Sequence, residues 1–210
     1  MRWYSHWYAL VPILLVFPVV AVTVRTFLFQ TFDSPSSSMS PTLNAGDYFF
    51  AEKFAYAGAP PRRGDVIVFR AVEGAGTVSF VKRIVGLPGD QVQLVGGRLR
   101  INGRAVGIAL APGRWTYCEF GECRPVPEYF ESLPGGARHR VVQASTDGSL
   151  DNTQVFAVPA GSYFVLGDNR DNSNDSRGDL GFIPAENIVG RVAVKYVDGR
   201  QHRLVWQGVK

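Results

Sequence analysis

Histidine, cysteine and lysine are all scarce in this chain of 210 residues. The three histidines are His6, His139 and His202, and none lies inside a strongly patterned segment, which argues against a Ser-His-Asp triad. The two cysteines, Cys118 and Cys123, have four residues between them and no histidine nearby, so a Cys/His zinc site is excluded. That leaves a short-loop disulfide or two free thiols, and an oxidising compartment would favour the disulfide. Of 22 basic residues only Lys53, Lys82, Lys195 and Lys210 are lysines, the net charge is +4, and no basic run exceeds two residues. That pattern gives no footing for nucleic-acid binding and leaves only a mild attraction to anionic headgroups. No long amphipathic helical pattern appears after the first thirty or so positions, so the remainder must be built mainly from strands.

What the chain does have is one long apolar run. Residues Trp7 to Val24 are eighteen positions without a charge. As a helix they span about 27 Å, enough to cross a bilayer once Thr26 to Phe29 extend them. Trp3, Tyr4, Trp7 and Tyr8 form an aromatic belt at the entry end. A cleavable signal peptide is the competing reading, but the run is long for one and no small-x-small site follows it. The expected organisation is a short N-terminus over 1–6, a transmembrane anchor over 7–29, and one domain over 30–210 with a loop-rich insertion of short strands at about 105–161.

Beyond the anchor, apolar runs are short and punctuated by glycine and proline. Tyr48 to Ala51, Val66 to Phe69, Val78 to Val85, Ser162 to Leu166, Ile188 to Val197 and Leu204 to Trp206 read as strands. Gly96-Gly97 and Asn102-Gly103 mark two-residue hairpin turns between further strands. The fold class expected is mainly β, a barrel-like or folded-sheet domain.

Three stretches carry chemistry. Five serines fall in the seven positions Ser34 to Ser40, bracketed by Pro35 and Pro41. Such a stretch is either a disordered linker or an ordered loop presenting hydroxyls. The apolar Leu43 and Tyr48-Phe49-Phe50 that follow at once favour the loop. A serine needs a base to become a nucleophile. Strand alternation puts Lys82 on one face with Phe80 and Ile84, while Arg83 points the other way with Val81 and Val85. A lysine between large apolar neighbours loses water, which lowers its pKa and frees an amine to act as base; the alternative is a lysine snorkelling from an edge strand. The third stretch, Gly167 to Arg177, interleaves Asp168, Asp171 and Asp175 with Arg170 and Arg177. It lacks the closing glutamate of an EF-hand loop, so internal Asp–Arg pairing fits better than calcium.

Together these stretches resemble the bacterial type I signal peptidases, or leader peptidases, membrane-bound serine proteases with a Ser-Lys dyad. The resemblance rests on Arg25-Thr-Phe-Leu-Phe-Gln-Thr-Phe32, Pro35-Ser-Ser-Ser-Met-Ser-Pro-Thr-Leu43, Arg63-Gly-Asp-Val-Ile-Val-Phe69, Val81-Lys-Arg-Ile-Val-Gly-Leu-Pro-Gly-Asp90 and Gly167-Asp-Asn-Arg-Asp-Asn-Ser-Asn-Asp-Ser-Arg177, in that order. It implies Ser38 as nucleophile and Lys82 as general base. Ser36 and the Ser38 backbone N–H would form the oxyanion hole, and Ser173 would orient the lysine. Arg83 would pair with Asp168, and Arg177 with Asp175. Phe32, Met39, Leu43 and Val81 would line shallow pockets for small residues at −1 and −3 of a secretory preprotein bound as an added strand. No metal or cofactor is implied. The implied setting is the inner (cytoplasmic) membrane, single-pass, with the N-terminus in the cytoplasm, the catalytic domain outside and the protein a monomer. Cys118–Cys123 matches loosely a short disulfide found in some Gram-negative members.

Three positions depart from the family pattern. Ser37 stands where glycine is frequent, Ser34 where an apolar residue precedes the proline, and Gly178-Asp179-Leu180-Gly181 where an aromatic pair is usual. Two other readings stay in view: a Ser-Lys peptidase dedicated to a narrow substrate such as a pilin, and a non-catalytic anchored β domain binding calcium at residues 168–175.

Overall fold

The computed structural model describes residues 15–19, 28–74, 76–119, 122–135 and 138–209. Residues 15–19 are helical, and the rest of the expected anchor up to residue 27 lies outside the described residues. Among the described residues no helix is long and apolar enough to cross a membrane.

The folded part is mainly β, as the short punctuated runs require. In chain order the strands are β1 (Phe29–Asp33), β2 (Tyr48–Glu52), β3 (Val66–Glu73), β4 (Gly76–Gly86), β5 (Gln91–Val95), β6 (Arg98–Ile101), β7 (Arg104–Ala105) and β8 (Gly107–Glu119). They continue with β9 (Glu122–Ser132), β10 (Arg138–Val142), β11 (Phe156–Ala157), β12 (Ser162–Leu166), β13 (Ile183–Pro184), β14 (Ile188–Asp198) and β15 (Arg203–Gly208). The largest sheet runs β1-β2-β14-β3-β4-β12-β13, with β15 added to β14. A second sheet runs β11-β5-β6-β7, and a third β10-β9-β8.

Val66 to Phe69 are all buried, so this run packs on both faces of its sheet, as a continuous apolar strand should. One face of the sheet joins Met39, Leu43, Phe49, Val66 and Val68; the other joins Ile67, Phe69, Ile84 and Val165. The hairpin turns fall at Gly96-Gly97 and Asn102-Gly103: all four residues have positive φ, the geometry a two-residue turn between twisted strands demands.

The expected insertion of short strands is instead one long hairpin, thirteen residues in β8 and eleven in β9, with β10 alongside. Its prolines hid it. Pro125 and Pro127 lie in β9 beyond the part that β10 covers, which is Glu128 to Ser132, so there is no second ladder for their missing N–H to interrupt. A register shift between Leu110 and Arg114 absorbs Pro112 and Gly113. Cys118 and Cys123 are register partners near the tip; Cys123 is disulfide-bonded and no described cysteine is free.

Candidate active site

The serine-rich stretch is an ordered loop joining β1 to β2. Its ends are tied by backbone bonds from Ser34 N–H to Asp47 O and from Gly46 N–H to Ser34 O, both 2.8 Å. The buried Asp47 carboxylate fixes the base: it accepts from Asn44 N–H at 2.8 Å, Gly199 N–H at 2.8 Å and Lys195 Nζ at 3.0 Å. Tight turns inside the loop, from Ser40 N–H to Ser37 O and from Leu43 N–H to Met39 O, put Met39 and Leu43 into the core and turn Ser38 toward β4.

Lys82 meets it there. Its Nζ lies 2.7 Å from Ser38 Oγ and donates to Val81 O at 3.0 Å. Lys82 is 3% exposed and Ser38 8%, and the amine sits 5.9 Å from the centre of the Phe80 ring. Burial pulls the lysine pKa down to about 8, against the opposing pull of Asp175 and Asp168. Lys82 therefore does not snorkel. An amine with that pKa is neutral in roughly a tenth of molecules at pH 7, far more than an ordinary lysine, and can take a proton from a hydroxyl 2.7 Å away. Ser36 Oγ lies 3.1 Å from Ser38 Oγ.

The loop Gly167 to Arg177 grips the serine loop from the other side. Asn169 N–H donates to Ser38 O at 3.1 Å, Asn169 Nδ2 to Ser37 O at 3.2 Å, and Asn172 Nδ2 to Ser37 Oγ at 2.9 Å. Gly167 is obligatory at this approach: a Cβ there would stand 2.6 Å from Ser38 O and 2.2 Å from Ser173 Oγ. Ser173 Oγ is buried and makes no hydrogen bond, so the bond to Lys82 expected of it is not formed in this structure. Arg177 holds Asp175 by two bonds of 2.9 Å, and Asp175 accepts from Gly167 N–H at 3.1 Å. Asp171 accepts from Ala144 N–H at 2.6 Å. With Asp168 engaged by Arg83, all three aspartates are taken up by the protein's own donors, which removes the basis for a calcium loop.

Behind Lys82, Arg83 reaches the opposite face of β4. Its Nε and Nη2 bind the two oxygens of Asp168 at 2.8 and 2.7 Å, and its Nη1 donates to Gly64 O at 2.7 Å. Thr42 donates to Asp168 Oδ2 at 2.5 Å, linking this pair to the serine loop. Burial alone would raise the Asp168 pKa, and the Arg83 guanidinium reverses that, holding it below the usual carboxylate range. A second pair adjoins it: Arg170 binds Glu131 of β9 at 2.9 and 2.6 Å. His139 of β10 lies between the two carboxylates, Nε2 being 3.4 Å from Glu131 Oε2 and 3.9 Å from Asp168 Oδ1, with neither ring nitrogen hydrogen-bonded. Burial and then the nearby Arg83 lower its pKa, and the two carboxylates oppose them.

The dyad opens into a cleft of about 300 Å³ lined by Phe32, Pro35, Ser36, Ser38, Met39, Phe80, Val81 and Lys82 among others. Of the pocket residues that the resemblance implies, Phe32, Met39 and Val81 line this cleft. Leu43 does not: it is fully buried in the core cluster behind Met39. Asn169, Asn172, Gly167 and Thr42 escaped the sequence reading because each acts through a backbone or side-chain contact made across 126 to 135 residues of chain. The buried network at His139 escaped it because its hairpin was read as loop.

The family model described as signal peptidase, peptidase S26 matches residues 6–197. The chain is 38% identical over 199 residues to signal peptidase I of Pseudomonas aeruginosa, covering 83% of this chain and 68% of that one. It is 34% identical over 197 residues to signal peptidase I of Rickettsia canadensis, covering 82% and 73%. A solved signal peptidase I from Enterococcus faecalis aligns at 26% identity over 62% of this chain and 95% of its own, with a TM-score of 0.35, too low to bear on the fold.

Proposed function

The chain belongs to the signal peptidase family, peptidase S26, and on that footing we propose that it removes signal peptides from secretory preproteins as a Ser-Lys endopeptidase. The observation that carries the reading is the 2.7 Å approach of a desolvated Lys82 amine to Ser38 Oγ at the floor of an open cleft.

Neutral Lys82 takes the Ser38 hydroxyl proton as Oγ attacks the scissile carbonyl carbon. The carbonyl oxygen becomes an oxyanion, stabilised by the Ser38 N–H and the Ser36 hydroxyl. The C–N bond then breaks, and the Lys82 ammonium returns the proton to the departing amine, the N-terminus of the mature protein. Water, deprotonated by the same amine, attacks the ester; the C–Oγ bond breaks, the Lys82 ammonium returns the proton to Ser38 Oγ, and the signal peptide leaves with its new carboxylate. Once Ser38 Oγ is acylated, the Lys82 amine needs another polar partner. Ser173, with a buried and unpartnered hydroxyl beside the Ser38 carbonyl, is the candidate.

The substrate lies extended along unpaired strand edges. Among the described residues β1 pairs only with β2, and β4 meets β12 only at Arg83 to Gly86, so both offer free backbone groups at the cleft. Phe32, Met39 and Val81 leave room there for small side chains at −1 and −3. Residues 7–29 anchor the chain in the inner membrane, with residues 1–6 cytoplasmic and the domain from 30 onward outside, acting as a monomer.

The test is cleavage of a model preprotein by the detergent-solubilised chain, wild type beside Ser38→Ala, with the cut mapped by mass spectrometry. A cut after a small-x-small sequence that disappears in the variant is expected. A folded wild type that cleaves no general preprotein would overturn the reading, and cleavage of a pilin substrate alone would narrow it to a dedicated peptidase.

A further inference from the structure

A second cavity, of about 360 Å³, lies on the far side of the serine loop from the cleft. It is bounded by Pro41 and Thr42, by β10, and by the end of β15. Its chemistry differs from that of the cleft. Arg138, His139 and Arg140 line it, and no acidic residue does. It adjoins a third cavity, of about 650 Å³, through the shared lining of Arg138, Gly208 and Val209; Arg63, Arg83 and Arg191 line that one, against Glu52 and Asp65.

Most of these cations already have partners. Arg63 binds Asp90, Arg83 binds Asp168, Arg191 binds Glu52, and Arg140 lies 3.3 Å from Glu128. Arg138 has no carboxylate partner among the described residues, and its guanidinium lies 4.0 Å from the centre of the Phe130 ring. Arg140 lies 5.5 Å from the same ring, so the aromatic face holds both side chains together at the cavity. Beside them His139 is 5% exposed; its Nε2 faces Glu131 at 3.4 Å and Asp168 at 3.9 Å, and its Nδ1 has no hydrogen-bond partner. Buried polar groups are seldom left unsatisfied in a native fold. An unpaired guanidinium, a second partly paired one and an imidazole nitrogen without a partner around one cavity of about 360 Å³ have the charge and donors that suit a tetrahedral oxyanion.

We propose that the cavity bounded by Thr42, Arg138, His139 and Arg140 binds a phosphate group. The group is either the headgroup of an anionic phospholipid or a soluble phosphate. Arg138 supplies the free charge, Arg140 a shared one and His139 Nδ1 a further hydrogen-bonding atom, while Thr42, whose hydroxyl proton goes to Asp168, only bounds the site. The site goes beyond the proteolytic reading and does not rest on it. The site shares Thr42 with the Thr42–Asp168–Arg83 chain, so an occupied site abuts the support of the dyad.

Because the chain has three histidines, the test is nuclear magnetic resonance of ring-labelled ¹⁵N-histidine in the full chain, solubilised in a neutral maltoside detergent, with His139 assigned through His139→Gln. Inorganic phosphate is titrated at constant pH and ionic strength against chloride. Saturable movement of the His139 ring signals by phosphate alone is expected. Arg138→Gln should weaken that binding by roughly tenfold or more, the loss expected for a hydrogen bond to a charged group, and Arg140→Gln by less. Bilayer nanodiscs of phosphatidylcholine, with and without phosphatidylglycerol and with no free phosphate, separate the sources. Movement that requires phosphatidylglycerol identifies a lipid headgroup, and movement confined to the phosphate titration identifies a soluble one. No saturable movement in any arm, or an undiminished one in Arg138→Gln, overturns the proposal. Binding is read without any cleavage, so its failure would leave the peptidase reading untouched.

Discussion

Lys82 and Arg83 are neighbours on β4, 3% and 1% exposed, and they show two different outcomes of burying a cation. On the cleft face Lys82 meets the Ser38 hydroxyl, a carbonyl and an aromatic ring, and among the described residues no carboxylate lies within ion-pair distance. Desolvation therefore dominates, and the amine loses its proton readily. On the rear face Arg83 meets both oxygens of Asp168 and the Gly64 carbonyl. There the pair compensates the burial and both charges persist. One strand thus separates a reactive face from a supporting face by the pleat alone, and the choice of lysine in front and arginine behind follows. Lysine shifts its pKa when buried, whereas arginine keeps its charge and offers two aligned donors.

The strongest test removes the front cation. Lys82→Met should stay folded by circular dichroism and lose roughly 10³-fold or more in turnover, the range for a general base. A Lys82→Met enzyme of near-normal activity would end the distinction between the faces. Removing the rear cation should act differently. Arg83→Met leaves the Asp168 carboxylate buried without its partner, and a loss of about 3–5 kcal/mol in stability is expected by denaturant unfolding. A loss below about 1 kcal/mol would show that His139 and Thr42 hold Asp168 without Arg83.

The pH response sharpens the same contrast. With the Lys82 pKa at about 8, kcat/KM for a substrate that does not itself titrate should rise roughly fifty-fold from pH 6 to pH 8 and level off above. The folded pKa is below the ordinary value of 10.5, so the native state binds fewer protons than the unfolded chain between those values. Lys82 thus costs stability, roughly 3 kcal/mol, in full below about pH 8, and the cost is relieved as pH rises toward 10.5. The stability gap between Lys82→Met and wild type should narrow over that window. A flat rate profile from pH 6 to 9 would place the working base elsewhere.

The front face was the more legible in sequence. Alternation alone set Lys82 apart from Arg83, and proline and glycine punctuation marked the serine loop, because both signals are local. The rear face was less so. His139 and Glu131 reach Asp168 only because β9 and β10 bring them there, and that hairpin is disguised by Pro112, Pro125 and Pro127, which sit at a register shift or where the neighbouring strand has ended. Ser173 marks another limit. The resemblance gave it a partner in Lys82, whereas its hydroxyl is buried against Gly167 with none, a detail of packing that no residue pattern encodes.

The smallest effect belongs to the exposed rim of the front face. Ser37 stands where glycine is frequent in the family, and its hydroxyl accepts from Asn172 Nδ2 at 2.9 Å in an exposed position. Its carbonyl accepts from Asn169, whose own N–H holds the carbonyl of Ser38. The rim bond thus steadies the backbone that carries the proposed oxyanion donor. A solvent-exposed hydrogen bond contributes at the low end of about 0.5–1.5 kcal/mol, so Asn172→Ala and Ser37→Ala should each lower kcat by about twofold to fivefold with KM unchanged. If the two act only through each other, the double variant should be no slower than either single one. A multiplicative loss in the double variant would mean that the two residues reach the nucleophile by separate routes.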